Sequence, residues 1–138
     1  MLKRLLSSNI NELIKADLAV LLLRISAGAL IFTHGLPKLM KVFNGDFAFG
    51  DPLGIGPEIS LVLAAFAEAV CSLLLIAGFA TRYAAFILII NMATAFFLQH
   101  APDPFNVKEL SLMYLVMFVV LFFTGGGKFS LDDKLFND

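Results

Sequence analysis

Glu68 lies inside the stretch from Ile59 to Ala80, where almost every other residue is apolar or small. A carboxylate near the centre of a membrane helix costs roughly 2.5 to 3.5 kcal/mol on insertion scales, so it turns towards a partner or a water-filled cavity. Two more polar side chains, Arg24 and Asn91, interrupt other apolar stretches. At about 1.5 Å of rise per residue, Arg24 comes out about 10 Å deep and Asn91 about 12 Å, with Glu68 about 16 Å from the opposite side of an about 30 Å core. This shared depth predicts a buried polar layer in which Arg24 and Glu68 form an ion pair with Asn91 beside them, since a guanidinium presents a planar fork of donors. Such a layer either locks helices together or handles protons or a ligand. On this expectation Glu68→Ala costs more alone than with Arg24→Met, because the single change strands a buried guanidinium.

A second set gathers at one membrane face. His34 and Lys38 are four apart and share a helix side. Glu58 opens the next apolar stretch, His100 closes the third, and Lys108 and Glu109 open the fourth. His34, Lys38, His100 and Glu109 therefore form a candidate ligand pocket, where imidazole and carboxylate groups could exchange protons with a molecule entering from lipid. A merely solvated rim is the competing reading. The two histidines lack a ligand spacing such as HExxH, so no metal site is expected. Cys71 is the single cysteine, which excludes an internal disulfide, a CxxC pair, a cysteine-held iron–sulfur cluster and covalent CxxCH haem. Its expected role is packing, like that of Met92, Met113 and Met117.

These residues need helices to hold them. Of 138 residues 59% are hydrophobic and 15% charged, against about 45 to 50% and about 25% in soluble domains, which places the chain in a membrane. A net charge of -1 without a basic run gives no reason to expect nucleic acid. The spacing predicts one domain, residues 1–138, with four spans at about 18–37, 59–80, 83–99 and 107–124. Met1 to Asp17 reads as an amphipathic segment on the membrane surface, and the Arg24, His34 and Lys38 that follow argue against a cleaved signal peptide. Asp17 is the expected N-cap of the first span, and Pro37 with Lys38 its end.

Gly28 and Gly35, seven apart, would admit a neighbouring helix, within the bundle or from a second copy. Lys41 to Pro57 is rich in glycine and proline yet carries Phe43, Phe47, Phe49 and Ile55, so it should fold back on the bundle. Gly78 to Arg82 reads as a tight turn, Gly125-Gly126-Gly127 as a stop, and the tail from Lys128 as aqueous. Neither glycine cluster sits between a strand and a helix, as a phosphate loop requires. The architecture is all-α, a polytopic up-down-up-down bundle of four transmembrane helices. One side holds Lys3, Arg4, Lys15, Arg82, Lys128 and Lys134, the other only Lys38, Lys41 and Lys108, which predicts cytoplasmic termini.

The ordered series Arg24, His34-Gly35-x-x-Lys38, Glu68, Gly78-x-x-Thr81-Arg82, His100, Glu109 and Gly-x-Gly-Lys-Phe-Ser-Leu-Asp resembles the DoxX family of small bacterial membrane proteins, within the DoxD-like superfamily. The likeness covers about Leu21 to Asp132. It implies a multi-pass protein of the bacterial inner membrane. It also implies a link to quinone or thiol redox chemistry, since DoxD-like subunits occur in a thiosulfate:quinone oxidoreductase and some DoxX proteins in oxidative-stress complexes of the envelope. The candidate cofactor is then a quinone, hydrogen-bonded by His34 or His100, with Glu109 passing protons outward. A redox protein or a second copy is the candidate partner. Without a cysteine pair the chain would be a subunit and not a self-contained thiol-redox enzyme. A membrane scaffold or assembly factor, and a small-molecule transporter or lipid-binding module, are the alternative readings.

Overall fold

A computed structural model describes residues 13–137, which leaves most of the expected amphipathic segment, Met1 to Asp17, outside the described residues. Four long helices follow one another: α1 (Leu13–Phe43), α2 (Pro57–Ala77), α3 (Thr81–Gln99) and α4 (Phe105–Thr124). A short fifth, α5, spans Leu131–Phe136. There is no strand among the described residues, and α1 to α4 are each long and apolar enough to cross a membrane. The all-helical, four-span expectation therefore holds. Large apolar side chains such as Leu22, Leu30, Phe86 and Phe123 lie on the outside of the bundle, where lipid is their solvent.

Two expectations about α1 fail. Pro37 does not end it, for the helix runs on to Phe43 with the proline inside. Proline removes one backbone donor, a loss that a helix in hydrocarbon tolerates better than the exposure of a whole unwound turn. Asp17 is not the N-cap either. It sits within the helix, and its Oδ1 accepts the backbone N–H of Lys128 at 3.1 Å.

α2 is the central helix, with 56% of its span buried against 17 to 28% for the other three. Its interior turn, Phe66–Cys71, is a π-helix, one residue wider than an α-turn, and α3 ends in another, Ala95–Gln99. α1 lies directly on α2 because Gly28 and Gly35 leave room. A Cβ at Gly35 would stand 2.3 Å from the Glu68 carbonyl carbon, and one at Gly28 3.0 Å from the Ser72 carbonyl oxygen. The small residues seen in the sequence are thus spent on a contact inside the bundle. Ala27, Ile31, Leu75, Leu88, Phe118 and Leu121, all buried, fill the core between the helices.

The tail folds back and closes the end of the bundle opposite the long loop, with Lys128, Lys134 and Asn137 left exposed. Gly78, at φ 72°, ends α2 in the left-handed conformation, and its carbonyl accepts the N–H of Asp132 at 2.9 Å. The Asp132 carboxylate then takes the N–H groups of Ala80 at 2.7 Å and Thr81 at 2.9 Å, which caps the start of α3 from a distant part of the chain. Arg24 reaches the same place from α1. Its guanidinium donates to the carbonyls of Gly126 and, at 2.8 Å, Phe129, with Ile76 at 3.5 Å.

Candidate functional site

At the other end, α1 continues past Pro37 and so carries Lys38 inward beside α2. Lys38 Nζ donates to Glu68 Oε2, and Asn91 Nδ2 of α3 donates to Glu68 Oε1 at 2.8 Å. The predicted partnership of Glu68 with Asn91 is present. The predicted ion pair with Arg24 is not, because the guanidinium is satisfied by carbonyls at the far end of the bundle. The carboxylate side chain is 5% exposed and the ammonium side chain 26%, so the pair is buried on one side and open on the other. A carboxyl group this deep is satisfied by these two donors, one on each flanking helix.

Local structure explains the placement. The π-turn at Phe66–Cys71 carries Ala67, Glu68 and Ala69, all three buried in the interior. Gly35 then allows the α1 backbone to touch the Glu68 backbone, and Lys38, one turn later, comes within reach of the carboxylate.

Two cavities meet at this pair. The larger, about 590 Å³, lies between α2, α3 and the long loop. Its walls are mostly apolar, with Leu63, Ala64, Phe66, Ile87 and Ile90, and its polar groups are Lys38, Glu68, Asn91, Ser60, Thr94, Gln99 and His100. Leu63, Phe66 and Ile90 also lie on the outer surface of the bundle, so this cavity opens towards hydrocarbon between α2 and α3. The smaller, about 250 Å³, lies between α1, α3 and α4, and its lining includes His34, Lys38, Glu68, His100, Ser111 and Tyr114. Of the four candidate pocket residues, His34, Lys38 and His100 therefore line a cavity. Glu109 is exposed and lines neither. His34 sits edge-on to Tyr114, ring centroids 6.0 Å apart, and His100 Nδ1 bonds Asp103 Oδ2 at 2.8 Å.

The roof of the larger cavity depends on Asp51, which sequence reasoning passed over. Its carboxylate accepts the N–H groups of Ile55 and Gly56 and the hydroxyl of Ser60, each at 3.0 Å, and so ties the loop to the first turn of α2. Gly50 rests against Gln99 at the end of α3, where a Cβ would come within 2.7 Å of the amide. Phe49, Pro52, Leu53 and Ile55 complete the lining. An aspartate followed closely by glycines was a detectable loop-turn signal. Ser60 and Gln99 gave none. The described residues contain no group of three or more His, Cys, Asp or Glu arranged to hold a metal ion, and Cys71 is fully buried in the core.

The arrangement can hold an apolar molecule by most of its surface and meet one polar end with an ammonium, a carboxylate and an amide. The chain is 36% identical over 125 residues to an uncharacterized protein of Haemophilus influenzae, covering 83% of this chain and 88% of the relative. A second uncharacterized protein of the same organism is 31% identical over 131 residues, 86% of this chain and 84% of the relative. No solved structure matches the chain significantly. The DoxX family model matches residues 19–101, which takes in α2, α3, the roof loop and most of α1, and with it Lys38, Glu68, Asn91 and His100. This chain belongs to the DoxX family.

Proposed function

We propose that the chain binds a quinone drawn from the bilayer and serves as the quinone-facing subunit of a redox system in the bacterial inner membrane, with both termini cytoplasmic. The observation that supports this reading is the roughly 590 Å³ cavity, apolar over most of its wall, open between α2 and α3, and polar at the Lys38–Glu68–Asn91 cluster. Its size lies within the range of about 300 to 1,000 Å³ typical of small-molecule sites. Lys38 and Asn91 each retain N–H donors beyond the one given to Glu68, and these suit a ligand carbonyl. His100, on the same wall, is the second candidate donor. Electrons come from a partner protein's carrier. Glu109 has no part in this site.

Quinone retention by the purified protein in lipid nanodiscs tests the reading. Lys38→Met/Glu68→Gln, which removes both charges and strands neither, and Asn91→Leu should each weaken quinone binding at least tenfold, about 1.4 kcal/mol. Unchanged affinity in both variants, or no quinone held by the native protein, overturns it. The cavity's opening to hydrocarbon favours a second reading, a lipid-binding or carrier module; an extracted phospholipid in place of quinone would decide for it.

A further inference from the structure

The Lys38–Glu68 pair is shared by two cavities, one mostly apolar and the other mixed. Both linings contain Lys38, Glu68, Ala95 and His100, and no other residue in common. On one side lies the apolar chamber that opens to hydrocarbon. The other chamber, about 250 Å³, adds His34, Ser111 and Tyr114 to the shared groups, with Ile31, Met92, Val107 and Leu110 between them, so six of its eleven lining side chains can hydrogen-bond. Tyr114 is only 4% exposed and stands edge-on to His34, ring centroids 6.0 Å apart. A space of this size with six hydrogen-bonding side chains on its wall is where ordered water belongs, since a water needs only about 30 Å³ and two to four polar partners.

We propose that the smaller chamber is a water-filled access route to Glu68, and that the Lys38–Glu68 bridge is the removable wall between it and the lipid-fed cavity. The inference uses the cavity described above but not the identity of its occupant. Glu68 belongs to both spaces. Its carboxylate can take a proton from a hydronium ion in the smaller chamber, leaving water, and pass it to an acceptor oxygen in the larger one, which restores the carboxylate. The titratable groups around it come from every neighbouring helix: His34 and Lys38 from α1, His100 with its partner Asp103 after α3, and Tyr114 from α4. Asn91 of α3 holds Glu68 Oε1, so the wall rests on α3 when Lys38 lets go.

Cysteine accessibility tests this without any ligand. In a Cys71→Ser background, Ser111→Cys reports the smaller chamber and Ala64→Cys the larger. A charged, membrane-impermeant methanethiosulfonate should modify Ser111→Cys at least tenfold faster than Ala64→Cys. Adding Lys38→Met/Glu68→Gln should raise the Ala64→Cys rate at least tenfold and leave Ser111→Cys unchanged. Glu68→Gln alone, which keeps the side-chain volume, should raise it less and serves if the double change fails to fold. Unreactive Ser111→Cys, equal rates with the bridge intact, or no rise in Ala64→Cys reactivity in either bridge variant overturns the proposal. None of these results depends on whether quinone binds, so the two readings fail separately.

Discussion

Glu68 meets Lys38, and Arg24 stands fourteen residues earlier on the same helix as that lysine, about 21 Å away along its axis. Lys38 and Arg24 thus serve opposite ends of the bundle, one closing a cavity wall and the other gathering the carbonyls of the tail.

Charge removal should expose this division. Lys38→Met alone is expected to destabilise the protein by about 3 kcal/mol or more, because it leaves a buried carboxylate with one donor, while Lys38→Met/Glu68→Gln recovers much of the loss. The corresponding cycle between Arg24 and Glu68 should be additive to within about 0.5 kcal/mol. Thermal or denaturant unfolding in detergent measures both. Strong coupling between Arg24 and Glu68 would contradict the separation.

Gly35→Ala places a Cβ against the Glu68 backbone and should part α1 from α2. Overpacking of a close contact costs about 1 to 3 kcal/mol, and here it also draws Lys38 away from its partner. Gly54→Ala, at a position with nothing within 4 Å but a φ of +67°, should cost only about 1 kcal/mol of backbone strain. Unfolding midpoints of the two variants, with ligand binding lost in the first alone, check the difference.

Asp132→Ala removes the acceptor of two backbone N–H groups at the start of α3. Hydrogen bonds to a charged group contribute about 1.5 to 3 kcal/mol each, and Ala80, at φ 49° with no side-chain cap of its own, offers no substitute. A loss of about 2 kcal/mol or more is expected, with faster amide exchange at 78–84. Arg24→Lys should fall short of rescue, since one ammonium does not span the Gly126 and Phe129 carbonyls as the planar guanidinium does.

Asp51→Ala frees the roof loop while leaving the four spans in place. Proteolytic cutting within 46–56 should quicken severalfold with little change in unfolding midpoint, since only loop contacts are lost. An unaltered digestion pattern would show that Phe49, Pro52 and Leu53 hold the roof unaided.

The spans were readable because helical length and hydropathy are local properties of 18 to 20 residues, and so were the turn at Gly78 and the close approach at Gly28 and Gly35. The partner of Glu68 was not readable. Depth arithmetic took Pro37 as the end of α1, which put Lys38 at the rim, and it assumed that a buried guanidinium needs a carboxylate when carbonyls at helix ends serve as well. The caps made by Asp132 lie about fifty residues away in sequence, beyond any local pattern. Nor does any residue type announce a π-turn at Phe66–Cys71.

Each of the two wide turns, Phe66–Cys71 on α2 and Ala95–Gln99 on α3, is in effect a regular helix with one surplus residue, and both border the same cavity. Deleting Ala69 should therefore shorten the chain without disturbing the register of Pro57–Ala65 or Ser72–Ala77, since the slack is taken up on the spot. The helix would survive, straightened, and the carboxylate would be swung off its mark. Glu68 and Gln99, on the cavity's polar wall, are mounted on coils that can be let out or drawn in by a single peptide unit.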